Sequence, residues 1–196
     1  MAVWKCRPSA YYVHSVGHLV LDSLASRFGV SFASDSSVKG YKATKHNAFG
    51  HGDVTITLYK PSELNGWQAV ALTNPNAHAE ALMNISGPPV AAALKTLSIP
   101  PSHMIVVHDS LDHKPMKVSP KFGGSASGHN GVRSIIASLG GTKDFHRLRI
   151  GIGRDQSDPA AYVLGRLSAE ERDFWLHGEG VHAAWSALVK IMATSP

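Results

Sequence analysis

Residues 104–131 read MIVVHDSLDHKPMKVSPKFGGSASGHNG, and their reading decides the fold. The run Met104-Ile105-Val106-Val107 is short, apolar and β-branched, as a strand buried on both faces would be. Asp109 follows at once, where the carboxyl end of a strand in an open α/β sheet delivers functional groups. Asp112 comes three residues later, and Lys121 stands just ahead of a glycine-dense loop, Gly123 to Gly128, that ends in His129-Asn130-Gly131. Polar groups and permissive backbone at this density suit a site better than a core, although plain loops share the composition. Neither G-x-x-x-x-G-K-[ST] nor G-x-G-x-x-G occurs, so the loop is not a phosphate cradle of those kinds.

On the amino-terminal side, Val16, Leu19, Val20, Leu24 and Phe28 form a helical stripe over 15–28 that Gly29 closes. Residues 2–6 suggest a brief strand, and 30–53 read as irregular or edge structure. VTITLYK (54–60) and QAVALT (68–73) read as strands with Asn65-Gly66 as a turn signal between them. Helices are expected over 77–83 and 88–98, the second with Pro89 in its first turn. On the carboxyl side, 132–139 is a helix stopped by Gly140-Gly141. RLRIGI (147–152) alternates basic and apolar side chains, as a strand between core and solvent would. The last helix starts at Ser168 with Glu171 completing a capping box, and Gly178 and Gly180 interrupt it. Strands and helices interleave without a repeat or linker. The fold class expected is therefore α/β, one domain over residues 1–196, with a twisted mixed sheet flanked by helices.

The chain has 196 residues, enough for one well-buried domain and short for two. No apolar run approaches membrane-spanning length, so no membrane partner is expected. A single Cys6 leaves no intramolecular disulfide and no zinc constellation, which points to a reducing compartment. No signal peptide is expected from MAVWKCRPSAYY. The net charge is +5, and Lys114, Lys117, Lys121, Arg133, Lys143, Arg147, Arg149 and Arg154 all flank the central stretch. A basic face there favours a polyanionic partner such as nucleic acid.

Four segments in order carry a resemblance. Met83-Asn84-Ile85-Ser86-Gly87 precedes the central stretch, which supplies His108-Asp109-Ser110-Leu111-Asp112 and the Gly-rich loop ending GHNG. Phe145-His146-Arg147-Leu148-Arg149-Ile150-Gly151-Ile152-Gly153 follows. Together they resemble the bacterial-type peptidyl-tRNA hydrolase family, and an organellar or eukaryotic-like member of it is expected. The resemblance implies hydrolysis of the ester between peptide and tRNA, recycling tRNA from aborted translation, by a monomer without metal or cofactor. It implies peptidyl-tRNA as partner, with the large ribosomal subunit as a further one, and a cytoplasmic or mitochondrial location.

The resemblance also implies the site. His14, in His14-Ser15-Val16-Gly17, matches the general base that activates water, and Asp109 matches the carboxylate that orients it. Asn84 and Asn130, with Met83 and His129 beside them, match the groups that hold water, carbonyl or terminal nucleotide. Lys121 and Arg149 match the pair that grips the tRNA 5′ phosphate. His46, in Thr44-Lys45-His46-Asn47-Ala48, competes for the catalytic role by sequence, but the required helix follows His14 and not His46. One departure stands out. Members begin with a strand ending in GLGNPG, whereas this chain has Trp4-Lys5-Cys6-Arg7-Pro8-Ser9, with Arg7-Pro8 in place of Asn-Pro. The alternative from another class is a catalytically silent RNA-binding relative that uses the same basic face as a scaffold.

Overall fold

The computed structural model describes residues 13–48, 54–61, 86–156 and 158–194. The expected strands at 2–6 and 68–73, the helix at 77–83, the altered amino-terminal motif, Met83 and Asn84 lie outside the described residues. The chain divides into two compact units. The first comprises Met1–Leu24, Val106–Lys121 and Arg147–Pro196, the second Ala25–Ile105 and Phe122–His146.

A 3₁₀ turn, Val13–Ser15, leads into α1, Val16–Phe28. The predicted stripe is the buried face: Val16, Leu19 and Leu24 have no exposure and Val20 has 1%. Burial of each such side chain contributes about 1.5–3 kcal/mol. The helix ends at Gly29 in the left-handed region (φ 67°), as a glycine stop requires.

A mixed three-stranded sheet follows, ordered β4-β6-β5, from Ile105–Ser110, Val118–Phe122 and His146–Gly151 as β4, β5 and β6. Hydrogen bonds from His146 N–H to Met104 O and from Ile152 N–H to Ser110 O make β4 and β6 parallel. Those from Gly123 N–H to Phe145 O and from Gly151 N–H to Lys117 O make β5 and β6 antiparallel. The first unit is completed by α4 (Pro159–Val163), α5 (Ala169–Leu176) and α6 (Glu179–Thr194). The Ser168 box is complete: Ser168 N–H donates to Glu171 Oε2 at 2.8 Å and Glu171 N–H to Ser168 Oγ at 3.1 Å. Ser23 Oγ, 2.6 Å from the Trp175 carbonyl, ties α1 to α5.

In the second unit β1 (Ala33–Asp35), β2 (Gly40–Lys45) and β3 (Ile56–Pro61) form an antiparallel sheet in chain order. Tyr59 on β3 donates its hydroxyl to Val38 O at 2.9 Å, and burial pushes its phenol up to about 12. Two helices, α2 (Gly87–Thr96) and α3 (Asn130–Ser138), pack together. Gly87 sits directly against Ser134, where a Cβ would meet the Ser134 carbonyl, and its N–H donates to Ser134 Oγ at 2.9 Å.

Three expectations need correction. β4 is not buried through its apolar half: Ile105 to Val107 are half-buried, whereas His108, Asp109 and Ser110 are buried and belong to the strand. Residues 33–35 and 40–45 are paired strands, although their side chains lack the alternation that announces one. Arg147 does not face solvent with Arg149; it is 1% exposed. Further along the strand Gly151 lets the 113–117 loop approach β6, and a Cβ there would run into the Lys114 carbonyl.

Candidate active site

The first unit holds the His14 turn, Asp109, Lys121 and Arg149; the second holds His129 and Asn130. Asp109 occupies the next-to-last position of β4 and is 6% exposed. His14 lies on the 3₁₀ turn at the head of α1. What brings the two elements together is Gly17. A Cβ there would lie 2.7 Å from Val107 O and 3.7 Å from the His108 Cα, so the first turn of α1 rests on β4 two residues before Asp109. Only a residue without a side chain permits that approach. Beyond Asp109, Ser110 Oγ shares a 2.8 Å hydrogen bond with His113 Nδ1, and His108 Nδ1–H donates to the Asp109 carbonyl at 2.6 Å.

The cations gather on one side of β5 and β6. Arg149 donates from Nη2 to Ser119 Oγ at 2.8 Å and from Nε to Ser119 O at 3.4 Å. Lys121 lies two residues beyond Ser119, on the same face of β5 by the period of a strand. The guanidinium is thus held in place, and its planar fork has the geometry that meets an oxyanion. His113 registers this cationic field: burial, then Arg149 and Lys117, lower its pKa against the opposing pull of Asp112. Burial, followed by repulsion from Arg149, also lowers that of Arg147.

In the second unit His129 is the N-cap of α3, with Nδ1 accepting from Val132 N–H at 3.2 Å. That bond places its ring proton on Nε2. Asn130 is the first residue of the helix. Ahead of it Gly123, Gly124, Ser127 and Gly128 have positive φ, so the loop turns as its composition suggests. His46, the competitor, is exposed just past β2, with Nδ1 3.2 Å from Thr55 Oγ1. It heads no helix.

Sequence reading missed Ser119, and it noted Tyr162 only within the matching segment Tyr162-Val163-Leu164-Gly165, without a role. Ser119 is an ordinary strand residue until its contact with Arg149 is seen. Tyr162 donates its hydroxyl to Ile152 O at 2.6 Å, a bond between segments that no local pattern announces.

These observations define a class: a mixed α/β protein in which the first turn of α1 packs on a strand that ends in a buried carboxylate, with an anchored arginine on the neighbouring strand. The comparisons are more specific. Residues 10–195 match the Peptidyl-tRNA hydrolase family. The chain is 41% identical over 161 residues to a peptidyl-tRNA hydrolase of Mycobacterium marinum, covering 81% of this chain and 72% of that protein. It is 40% identical over 162 residues to one from Mycobacteroides abscessus, covering 82% and 71%. The crystal structure of peptidyl-tRNA hydrolase from Acinetobacter baumannii superposes with a TM-score of 0.72 at 26% identity, over 96% of this chain and 85% of that one. The chain belongs to the peptidyl-tRNA hydrolase family. Among the described residues no helix is long and apolar enough to cross a membrane.

Proposed function

We propose that this protein hydrolyses the ester that joins a peptide to the terminal ribose of tRNA. The observation that carries this reading is the seating of α1, through Gly17, on the strand that bears Asp109, with the His14 turn at the head of that helix. His14 takes a proton from water as the water oxygen attacks the ester carbonyl carbon. The C–O bond to the ribose then breaks, and the imidazolium returns the proton to the leaving ribose oxygen. A carboxylate beside the imidazole orients it and stabilises its protonated form. Asn84 and Asn130, with Met83 and His129, hold the water, the carbonyl or the terminal nucleotide; an amide can donate to the developing oxyanion without titrating.

Lys121 and Arg149 bind the 5′ phosphate of the tRNA. The anchoring of Arg149 on Ser119 and the net charge of +5 support that role. The same reading takes the protein as a monomer acting in the cytoplasm or mitochondrion, on peptidyl-tRNA free or held by the large ribosomal subunit. Sedimentation alone and with large subunits checks both points. The activity is tested by peptide release from N-acetyl-aminoacyl-tRNA. The parent is expected to turn over, and Asp109→Ala to lose most of kcat. A parent that binds tRNA but releases no peptide would instead establish the silent RNA-binding relative.

A further inference from the structure

Four short contacts in the first unit form a path between the backbones of His14 and Asp109. Asp109 is followed by Ser110, whose carbonyl accepts from Ile152 N–H at 3.1 Å. The carbonyl of the same Ile152 accepts from the Tyr162 hydroxyl at 2.6 Å. Tyr162 opens a turn closed by Gly165 N–H on its own carbonyl at 3.0 Å. Finally, the Gly165 carbonyl accepts from Val13 N–H at 2.9 Å, and Val13 is joined directly to His14. At each end the path stops one residue short of a group assigned to catalysis. It includes a single side-chain group, the Tyr162 hydroxyl, and every other link is backbone.

We infer that Tyr162 is a positioning residue, which sets the His14 turn against Asp109 by tying the 162–165 turn to the end of β6. The inference rests on the assignment of His14 and Asp109 as base and orienting carboxylate. The contact at Gly17 fixes how closely α1 approaches β4, but it does not fix the turn that precedes the helix. The 162–165 turn supplies that second restraint, because Val13 N–H is the hydrogen-bond donor just ahead of His14. The hydroxyl suits the task. Burial, with Glu171 and Asp155 adding to it, raises the phenol pKa, so the group stays protonated and donating. Tyr162 lies on an open pocket of about 300 Å³ that Val13, Asp155 and Glu171 also line, with no need to touch the ester.

The test is a double-mutant cycle of Tyr162→Phe with Asp109→Asn, read by peptide release from N-acetyl-aminoacyl-tRNA. Tyr162→Phe removes one oxygen and leaves the ring packing in place. Loosened alignment is expected to lower kcat about tenfold, with KM within about twofold of the parent, since misplacement acts on the reacting geometry. In the Asp109→Asn background the same change is expected to lower kcat less than about twofold, because the alignment it protects has lost its partner. An equal loss in both backgrounds would mean a general effect on the fold and would overturn the inference. So would an unchanged kcat, or a rise in KM alone. An inactive parent or a fully active Asp109→Asn would overturn the site assignment and this inference together. Loss in Asp109→Asn with none in Tyr162→Phe would overturn the inference alone.

Discussion

Gly17→Ala sets two physical effects against each other with opposite signs. Gly17 is the second residue of α1, and alanine is favoured over glycine in a helix by up to about 1 kcal/mol. On propensity alone the variant is more stable than the parent. The added Cβ, however, would lie 2.7 Å from Val107 O and 3.3 Å from Val107 C, both backbone atoms. A comfortable carbon–oxygen contact is about 3.3 Å, so the helix and β4 must separate by roughly 0.6 Å. Overpacking of this kind typically costs about 1–3 kcal/mol, and a backbone oxygen cannot rotate away, which places the site in the upper part of that range. The net expectation is a loss of about 1–2 kcal/mol, or roughly 2–8 °C in Tm for a chain of this size. Urea unfolding should show a lower midpoint with an unchanged slope. The shift also moves the His14 turn relative to Asp109. Because a displacement of about 1 Å can cost about 10²-fold in rate, kcat should fall tenfold or more. A midpoint equal to or above that of the parent would refute the close approach, and with it the mechanism by which α1 delivers His14.

Other outcomes follow from the same geometry. Lys121→Ala should weaken tRNA binding and lower the slope of log K against log salt by about one, as loss of one phosphate contact does. A slope unchanged in titrations from low to moderate salt would remove Lys121 from the interface. Tyr59 has its pKa raised from 10.0 to about 12, so above pH 10 the unfolded chain loses this proton first. Its contribution is intact below pH 10 and declines as pH rises through about 12; solvent around this half-buried ring moderates the size. Urea midpoints for Tyr59→Phe should therefore fall less steeply over that interval than those of the parent, and parallel curves would refute the burial effect.

Much of the fold is visible in the residues, and the exceptions have physical causes. The α1 stripe is legible because its apolar side chains recur at the helical period on one face. The Ser168 box is legible because both of its partners lie within four residues. β2 escapes detection because Tyr41-Lys42-Ala43-Thr44-Lys45 has no strong alternation, and only pairing with β3 makes it a strand. β5 escapes because Pro120 argues against a strand; among the described residues β5 ends the sheet order β4-β6-β5, where proline is tolerated. The extension of β4 through His108, Asp109 and Ser110 could not be read from apolar content. Polar residues stay there because tertiary partners meet their hydrogen-bonding groups: Ile152 N–H donates to the Ser110 carbonyl, and His113 Nδ1 shares a hydrogen bond with its hydroxyl.

The site divides along the same line. Asp109, Lys121, Arg149 and the loop before Asn130 are marked by local composition. The role of His14 came from resemblance, and the seating of the following helix through Gly17 became visible only in three dimensions. Ser119 and Tyr162 act through contacts 30 and 10 residues away in sequence, which no local pattern announces.

The most direct measurement is single-turnover release of peptide from N-acetyl-aminoacyl-tRNA by the parent, His14→Ala and His46→Ala. The account predicts release by the parent and by His46→Ala at similar rates, with loss of several orders of magnitude for His14→Ala. Loss confined to His46→Ala, or a fully active His14→Ala, would contradict it.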